Sequence, residues 1–245
     1  ILTADHGELG GAHQLSGKGA TSYREQNNVP LIVSHPAHAG GKRCRAVTTH
    51  LDLVPTLISL TNASPEQKAA ITKDLHGKDF SPVLAAPEQA SLDAVRDGQL
   101  YCFNMFASLD GGFLQKASAL LSQPGGAAKI KETGLRPDMR KRGAIRSVFD
   151  GRYQFTRYFS PKQHNLPASI EELFEFNDVE LFDHQNDPHE LHNLAMDRVG
   201  NAELIMMMNA KLNRLIQEEV GEDVGQMLPG GIDGGWVATP AVHDL

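Results

Sequence analysis

The chain has 245 residues, with 23 Lys+Arg against 30 Asp+Glu and a formal net charge of −7. Hydrophobic residues at 40% and charged residues at 22% suit one α/β domain, or a medium domain with a small companion, and exclude a disordered chain. The carboxylate excess argues against a general nucleic-acid surface. No stretch approaches the roughly 20 apolar residues of a membrane span, and Cys44 and Cys102, without a CxxC partner, exclude a disulfide scaffold and a zinc ribbon.

Ile1 to Ala4 reads as a buried strand that stops at the polar Asp5-His6-Gly7. The sequence starts inside that strand, without Met or leader, so the expectation is a fragment whose N-terminal part is missing. Residues 7–22 form a long glycine-rich loop, and long loops in compact domains are often functional. Val29 to Ser34 reads as a second buried strand, with Pro30 at its start where a missing N–H is tolerated. Leu51 to Leu60 reads as a helix with Pro55 in its early part. Ser64-Pro65-Glu66-Gln67 carries an N-cap, a first-turn proline and a capping-box Gln, which start a helix running to about Leu75.

Gln99 to Phe106 reads as a strand and Phe113 to Leu121 as a helix. The stretch from Lys129 to Arg146 is basic and reads as a solvated loop; a phosphate- or sulfate-rich partner is the alternative. Ala144 to Asp150, Gly151, then Arg152 to Ser160 reads as a hairpin across Asp-Gly. Val179 to Phe182 is a further strand signal, and Asn201 to Val220 is a helix with Leu204, Met208, Leu212, Leu215 and Ile216 on one face. The Gly- and Pro-rich tail, Leu228 to Leu245, is expected to wrap the surface. The order of these elements divides the chain near residue 98, into 1–98 and 99–245.

Asp5 and His6 stand where a buried strand ends, the place where open α/β sheets bind ligands. A carboxylate beside an imidazole offers one oxygen and one nitrogen to a divalent cation. Lys18, between Gly17 and Gly19, can carry its ammonium to an anion held by that cation. Gly-Lys-Gly is not a phosphate-binding P-loop, because Gly19 replaces the required Ser or Thr. The alternative for Lys18 is a solvated surface lysine. His189-Glu190-Leu191-His192 has i,i+3 spacing rather than the i,i+4 of a zinc helix, and reads as a turn and strand end.

Five segments in order resemble the sulfatase family of the alkaline-phosphatase superfamily. They are Thr3-Ala4-Asp5-His6-Gly7-Glu8 with Gly10-Gly11-Ala12-His13 and Gly17-Lys18-Gly19; Val29-Pro30-Leu31-Ile32-Val33; Thr49 to Leu57, with Asp52, Pro55 and Thr56; His76 to Leu84; and Glu180-Leu181-Phe182-Asp183 through Asp187-Pro188-His189-Glu190 to Asn193-Leu194-Ala195. The resemblance implies a fold class: the later part of an alkaline-phosphatase-like mixed or parallel α/β sheet domain, then a small antiparallel α+β C-terminal subdomain. It implies Asp5 and His6 as metal ligands for Ca²⁺ or another divalent cation, Lys18 as a catalytic contact to the sulfate, and His13 as a histidine near the substrate. The implied reaction is hydrolysis of a small-molecule or saccharide sulfate ester. The formylglycine nucleophile, made from C/S-x-P-x-R, is expected upstream, because neither Cys44, nor Cys102, nor any Ser fits that pattern. Rival readings are a phosphonate or phosphate ester hydrolase of the same superfamily, and a non-catalytic truncated protein.

Overall fold

The computed structural model describes residues 1–104 and 110–224. The expected tail, and the end of the strand expected to reach Phe106, lie outside the described residues. The N-terminal part is built from β1 (Leu2–Thr3), α1 (Arg24–Asn27), β2 (Leu31–Ile32), α2 (Leu53–Ser59) and α3 (Pro65–Thr72). β1 and β2 pair antiparallel, Leu2 opposite Ile32 and Thr3 opposite Leu31. The capping box at α3 forms as its sequence requires: Gln67 N–H donates to Ser64 Oγ at 3.3 Å and Ser64 N–H to Gln67 Oε1 at 2.9 Å.

β3 (Gln99–Phe103), β4 (Ala144–Phe149), β5 (Tyr153–Phe159) and β6 (Asn177–Asp183) form one antiparallel sheet in that order. Gly151, at φ 98°, supplies the left-handed residue the expected β4–β5 turn needs. Strand alternation then gives the sheet two unlike faces. Leu100, Val148, Phe155 and Leu181 share one row, and Tyr101, Ser147, Thr156 and Glu180 the next. The long helix α7 (Ala202–Glu219) covers the apolar face, burying Ile205, Met208, Leu212, Leu215 and Ile216 against Val148, Phe155 and Leu181. Burying each such side chain stabilises the fold by roughly 1.5–3 kcal/mol. The polar face receives residues 19–26, so the sheet supports the loop that bears Lys18.

A buried ion network joins the two ends of the chain. Asp52 and Arg96 are fully buried; Arg96 donates twice to Asp52, at 2.9 and 2.5 Å, and once to Glu219 at the end of α7, at 2.6 Å. The same Asp52 carboxylate accepts from Thr49 N–H and Lys78 N–H. Thr56 Oγ1 accepts from Phe80 N–H at 2.9 Å. A Cβ on Gly77 would stand 1.8 Å from the Leu51 carbonyl oxygen. The second helix motif and the following turn thus interlock through Asp52, Thr56 and Gly77.

Two expectations are corrected. β1 and β2, expected as buried strands, leave Leu2 58% and Ile32 59% exposed, because their pair has no further strand or helix packed over it among the described residues. Residues expected as a solvated basic loop include a helix, α5 (Gly126–Thr133), bracketed by the left-handed Gly125 and Gly134. Its Ile130 packs on Phe113 and Ala117 of α4 (Gly111–Leu121). Arg140, Lys141, Arg142 and Arg146 pair with Asp138, Asp110, Asp178 and Asp223, so the stretch is largely neutralised rather than an open cationic patch. Between β5 and β6 the chain forms a further helix, α6 (Ile170–Phe176), whose Ser169 cap accepts from Glu172 N–H.

The C-terminal signature is a structural clasp. Asp183 accepts two hydrogen bonds from Arg152 and one each from Gln185 N–H and Asn186. Asn193 accepts from Leu181 N–H and donates to the Val179 carbonyl, closing the outer edge of β6. The Arg152 guanidinium beside Asp183 holds its carboxyl down at about 2. A depressed folded-state value contributes stability that is complete above the ordinary carboxylate value of about 3.9 and is lost as pH falls toward 2. Acid unfolding followed by circular dichroism should therefore begin below about pH 4, and Asp183→Asn should flatten that limb. An unchanged acid limb in the variant would contradict this.

Candidate active site

Asp5 and His6 follow β1 directly, and three contacts fix their turn. The His50 imidazole bonds the Ala4 carbonyl oxygen through Nε2 at 2.8 Å. Gly7 N–H donates to the Gln26 carbonyl at 2.7 Å and Glu8 N–H to the Glu25 carbonyl at 3.1 Å. A Cβ on Gly7 would lie 1.9 Å from that Glu25 oxygen, so only glycine lets the turn pass α1 this closely.

His6 N–H donates to Asp5 Oδ1 at 3.0 Å. That bond, with the nearby imidazole, holds the Asp5 carboxyl below the usual carboxylate value, so it stays ionised. His6 Nδ1 lies 2.7 Å from the Gly7 carbonyl oxygen, which can only accept. The ring proton therefore sits on Nδ1, and Nε2 keeps its lone pair outward. Lys18 Nζ donates to that Nε2 at 2.5 Å, and Asp5 Oδ2 is 3.4 Å from it. A carboxylate oxygen, an imidazole lone pair and an ammonium thus converge on one point.

The loop from Glu8 to Gly19 brings Lys18 there. Glu8 Oε1 accepts from Gly17 N–H at 2.6 Å, and Leu9 N–H donates to the Gly17 carbonyl at 3.0 Å. Gln26 then links loop and sheet: its Oε1 accepts from Gly19 N–H and its Nε2 donates to the Tyr101 hydroxyl on β3. Ser22 bonds Thr156 on β5, and Gln154 donates to the Ser22 carbonyl. Glu8 and Gln26 are thus positioning residues that spacing alone did not single out. Glu8's place beside a Gly-rich return loop was the available signal.

Asp5, His6, Lys18, Gly19, Gln26, His50 and Tyr101 line a cleft of about 340 Å³. His13, expected near the substrate, lies on the same loop but faces elsewhere: its ring stacks on Tyr23 at 3.7 Å, with Nε2 4.0 Å from Glu25. Cys44 is exposed and distant in sequence from the loop, and neither cysteine lines the cleft. His189 and His192 are both exposed, and Glu190 between them is turned inward to His184, so the His-Glu-Leu-His run forms no paired metal face.

The Sulfatase family profile matches residues 1–63. Over 64 residues the chain is 42% identical to the uncharacterized sulfatase YidJ of Escherichia coli (strain K12), covering 25% of this chain and 12% of that protein. A solved 2-O GAG sulfatase has the same fold at 22% identity and TM-score 0.57, over 89% of this chain and 36% of its own. A phosphonate monoester hydrolase of Agrobacterium radiobacter is similar at 21% identity and TM-score 0.54, over 89% of this chain and 34% of its own. This chain therefore spans only about a third of the length of those two structures. Ordered motifs, matched segment and fold point the same way: residues 1–63 match the sulfatase family, and the chain as a whole is similar in fold to solved sulfatases.

Proposed function

We propose that this chain carries part of the active site of a sulfate-ester hydrolase, with Asp5 and His6 as metal ligands and Lys18 as the sulfate contact. The observation that carries the reading is the meeting of Asp5 Oδ2, His6 Nε2 and Lys18 Nζ at one end of the cleft. The donor set fits a divalent cation: Asp5 is ionised and the His6 lone pair is aimed by its Nδ1 bond. Calcium is the cation the family resemblance implies, although one nitrogen donor also suits softer divalent ions. Bound there, the cation would act as a Lewis acid toward the charge that builds on sulfuryl oxygens.

This chain's own residues do the remainder. Lys18 donates to a sulfuryl oxygen, and the Glu8–Gly17 and Gln26–Gly19 bonds hold it in place without rearrangement during the reaction. Two protein ligands are fewer than the 6–8 oxygens usual around calcium. C/S-x-P-x-R does not occur in the 245 residues, so formylglycine has no precursor among them. In this reading the nucleophile and remaining ligands come from sequence outside the chain, and the chain alone is inactive. Leu2 and Ile32, opposite one another and both more than half exposed, offer that further sequence an apolar surface. The substrate class we favour is a saccharide sulfate, by likeness to the 2-O GAG sulfatase; the likeness to a phosphonate hydrolase makes a phosphonate ester the second reading. His13 in this reading steadies the Lys18 loop.

Metal analysis of the complete enzyme tests the ligand assignment. Asp5→Ala removes an anionic ligand from a doubly charged ion, so bound metal and activity should fall together. Stoichiometric metal retained in the variant would refute it.

A further inference from the structure

His13, Glu25 and Glu190 come together from three separate segments: the Lys18 loop, α1 and the C-terminal signature. One ligand atom of each lies within 4.8 Å of the other two. None of the three lines the cleft that holds Asp5, His6 and Lys18. Metal–ligand bonds of about 2.0–2.2 Å hold two ligands at most about 4.4 Å apart, so closure on an ion needs only small inward shifts.

The surroundings favour a cation. Glu25 Oε2 is buried without a hydrogen-bond partner. Among the described residues, Glu25, Glu180 and Glu190 form no ion pair with lysine or arginine; Glu25 faces His13 and Glu190 faces His184. Glu190 is 3% exposed, and its carboxylate is aimed by Arg24 N–H at 2.8 Å and by His184 Nε2 at 3.0 Å. Hydrogen bonds of this kind orient metal-binding carboxylates. Tyr23 donates its hydroxyl to Glu180 Oε1 at 3.4 Å. Tyr23 also stacks on the His13 ring within 9° of parallel, which fixes the imidazole plane.

We propose that His13, Glu25 and Glu190 form a second divalent-cation site, with one nitrogen and two carboxylate donors suited to zinc or a similar borderline ion. Two carboxylates neutralise the doubly charged ion, and the neutral imidazole completes a three-ligand set with a position left for water. Binding there would tie the Lys18 loop to the C-terminal signature.

The test uses the full chain in an Asp5→Ala background, stripped with EDTA and titrated with Zn²⁺ by calorimetry. One equivalent should bind. Adding Glu25→Gln, and separately His13→Asn, should weaken that binding by more than about tenfold. Melting in EDTA checks the fold, and two variants are used so that a defect in either leaves the comparison intact. No binding by the Asp5→Ala chain overturns the proposal, as does equal affinity with and without these substitutions. Since Asp5 is absent throughout, neither result depends on the Asp5–His6 assignment.

Discussion

Replacing Lys18 with alanine in the complete enzyme should slow sulfate-ester hydrolysis about 30- to 1000-fold, the equivalent of roughly 2–4 kcal/mol of transition-state stabilisation. The magnitude follows from one charge-assisted contact to an oxygen on which charge accumulates, in a site that the remainder of the complete enzyme would close to water. The fold should be unaffected. Lys18 is exposed in this chain, its side chain bonds only His6 Nε2, and its backbone neighbours are held by Glu8 and Gln26 instead. Steady-state kinetics with an aryl sulfate checks this. A loss under about threefold would make Lys18 a solvated surface lysine.

Arg96→Met should destabilise the protein by about 3–5 kcal/mol, because it leaves the buried Asp52 carboxylate without its cation. The effect is large because Asp52 is fully buried and Arg96 spans from it to Glu219, joining the N-terminal helices to α7. Asp52→Asn combined with Arg96→Met removes the stranded charge and should recover part of the loss. Urea unfolding measures both. A change below about 1 kcal/mol in the single variant would mean the pair is replaceable by water.

The sequence made the strands, the β4–β5 hairpin and α7 legible because each has a local cause: alternation, Asp150-Gly151, or a repeating apolar stripe. The capping box at Ser64 was equally readable. The α6 helix is only seven residues long, so its Ser169 cap is its one local signal and too short a stretch follows for an apolar stripe to repeat. The basic stretch misled for a different reason. Charge counted along a chain does not reveal partners such as Asp110 or Asp223, which lie 31 and 77 residues from Lys141 and Arg146.

At the candidate site the sequence supplied Asp5, His6 and Lys18 through motif resemblance, and the structure brings those three side chains together. Their supports were hidden. Glu8, Gln26 and His50 act through backbone atoms of other segments, and no spacing rule reports such contacts. The neighbours of His13 were hidden likewise, since Glu190 reaches its place from the far end of the signature.

The most direct measurement of the central claim is hydrolysis of an activated aryl sulfate, with added Ca²⁺, by the purified 245-residue chain. It is set beside the complete enzyme that the proposed function requires, in which these residues would accompany a C/S-x-P-x-R segment. The account predicts turnover by the complete enzyme that Asp5→Ala abolishes, and none by the chain alone. Turnover by the chain that exceeds a matched blank and survives repurification would contradict it, by placing a nucleophile within Ile1–Leu245.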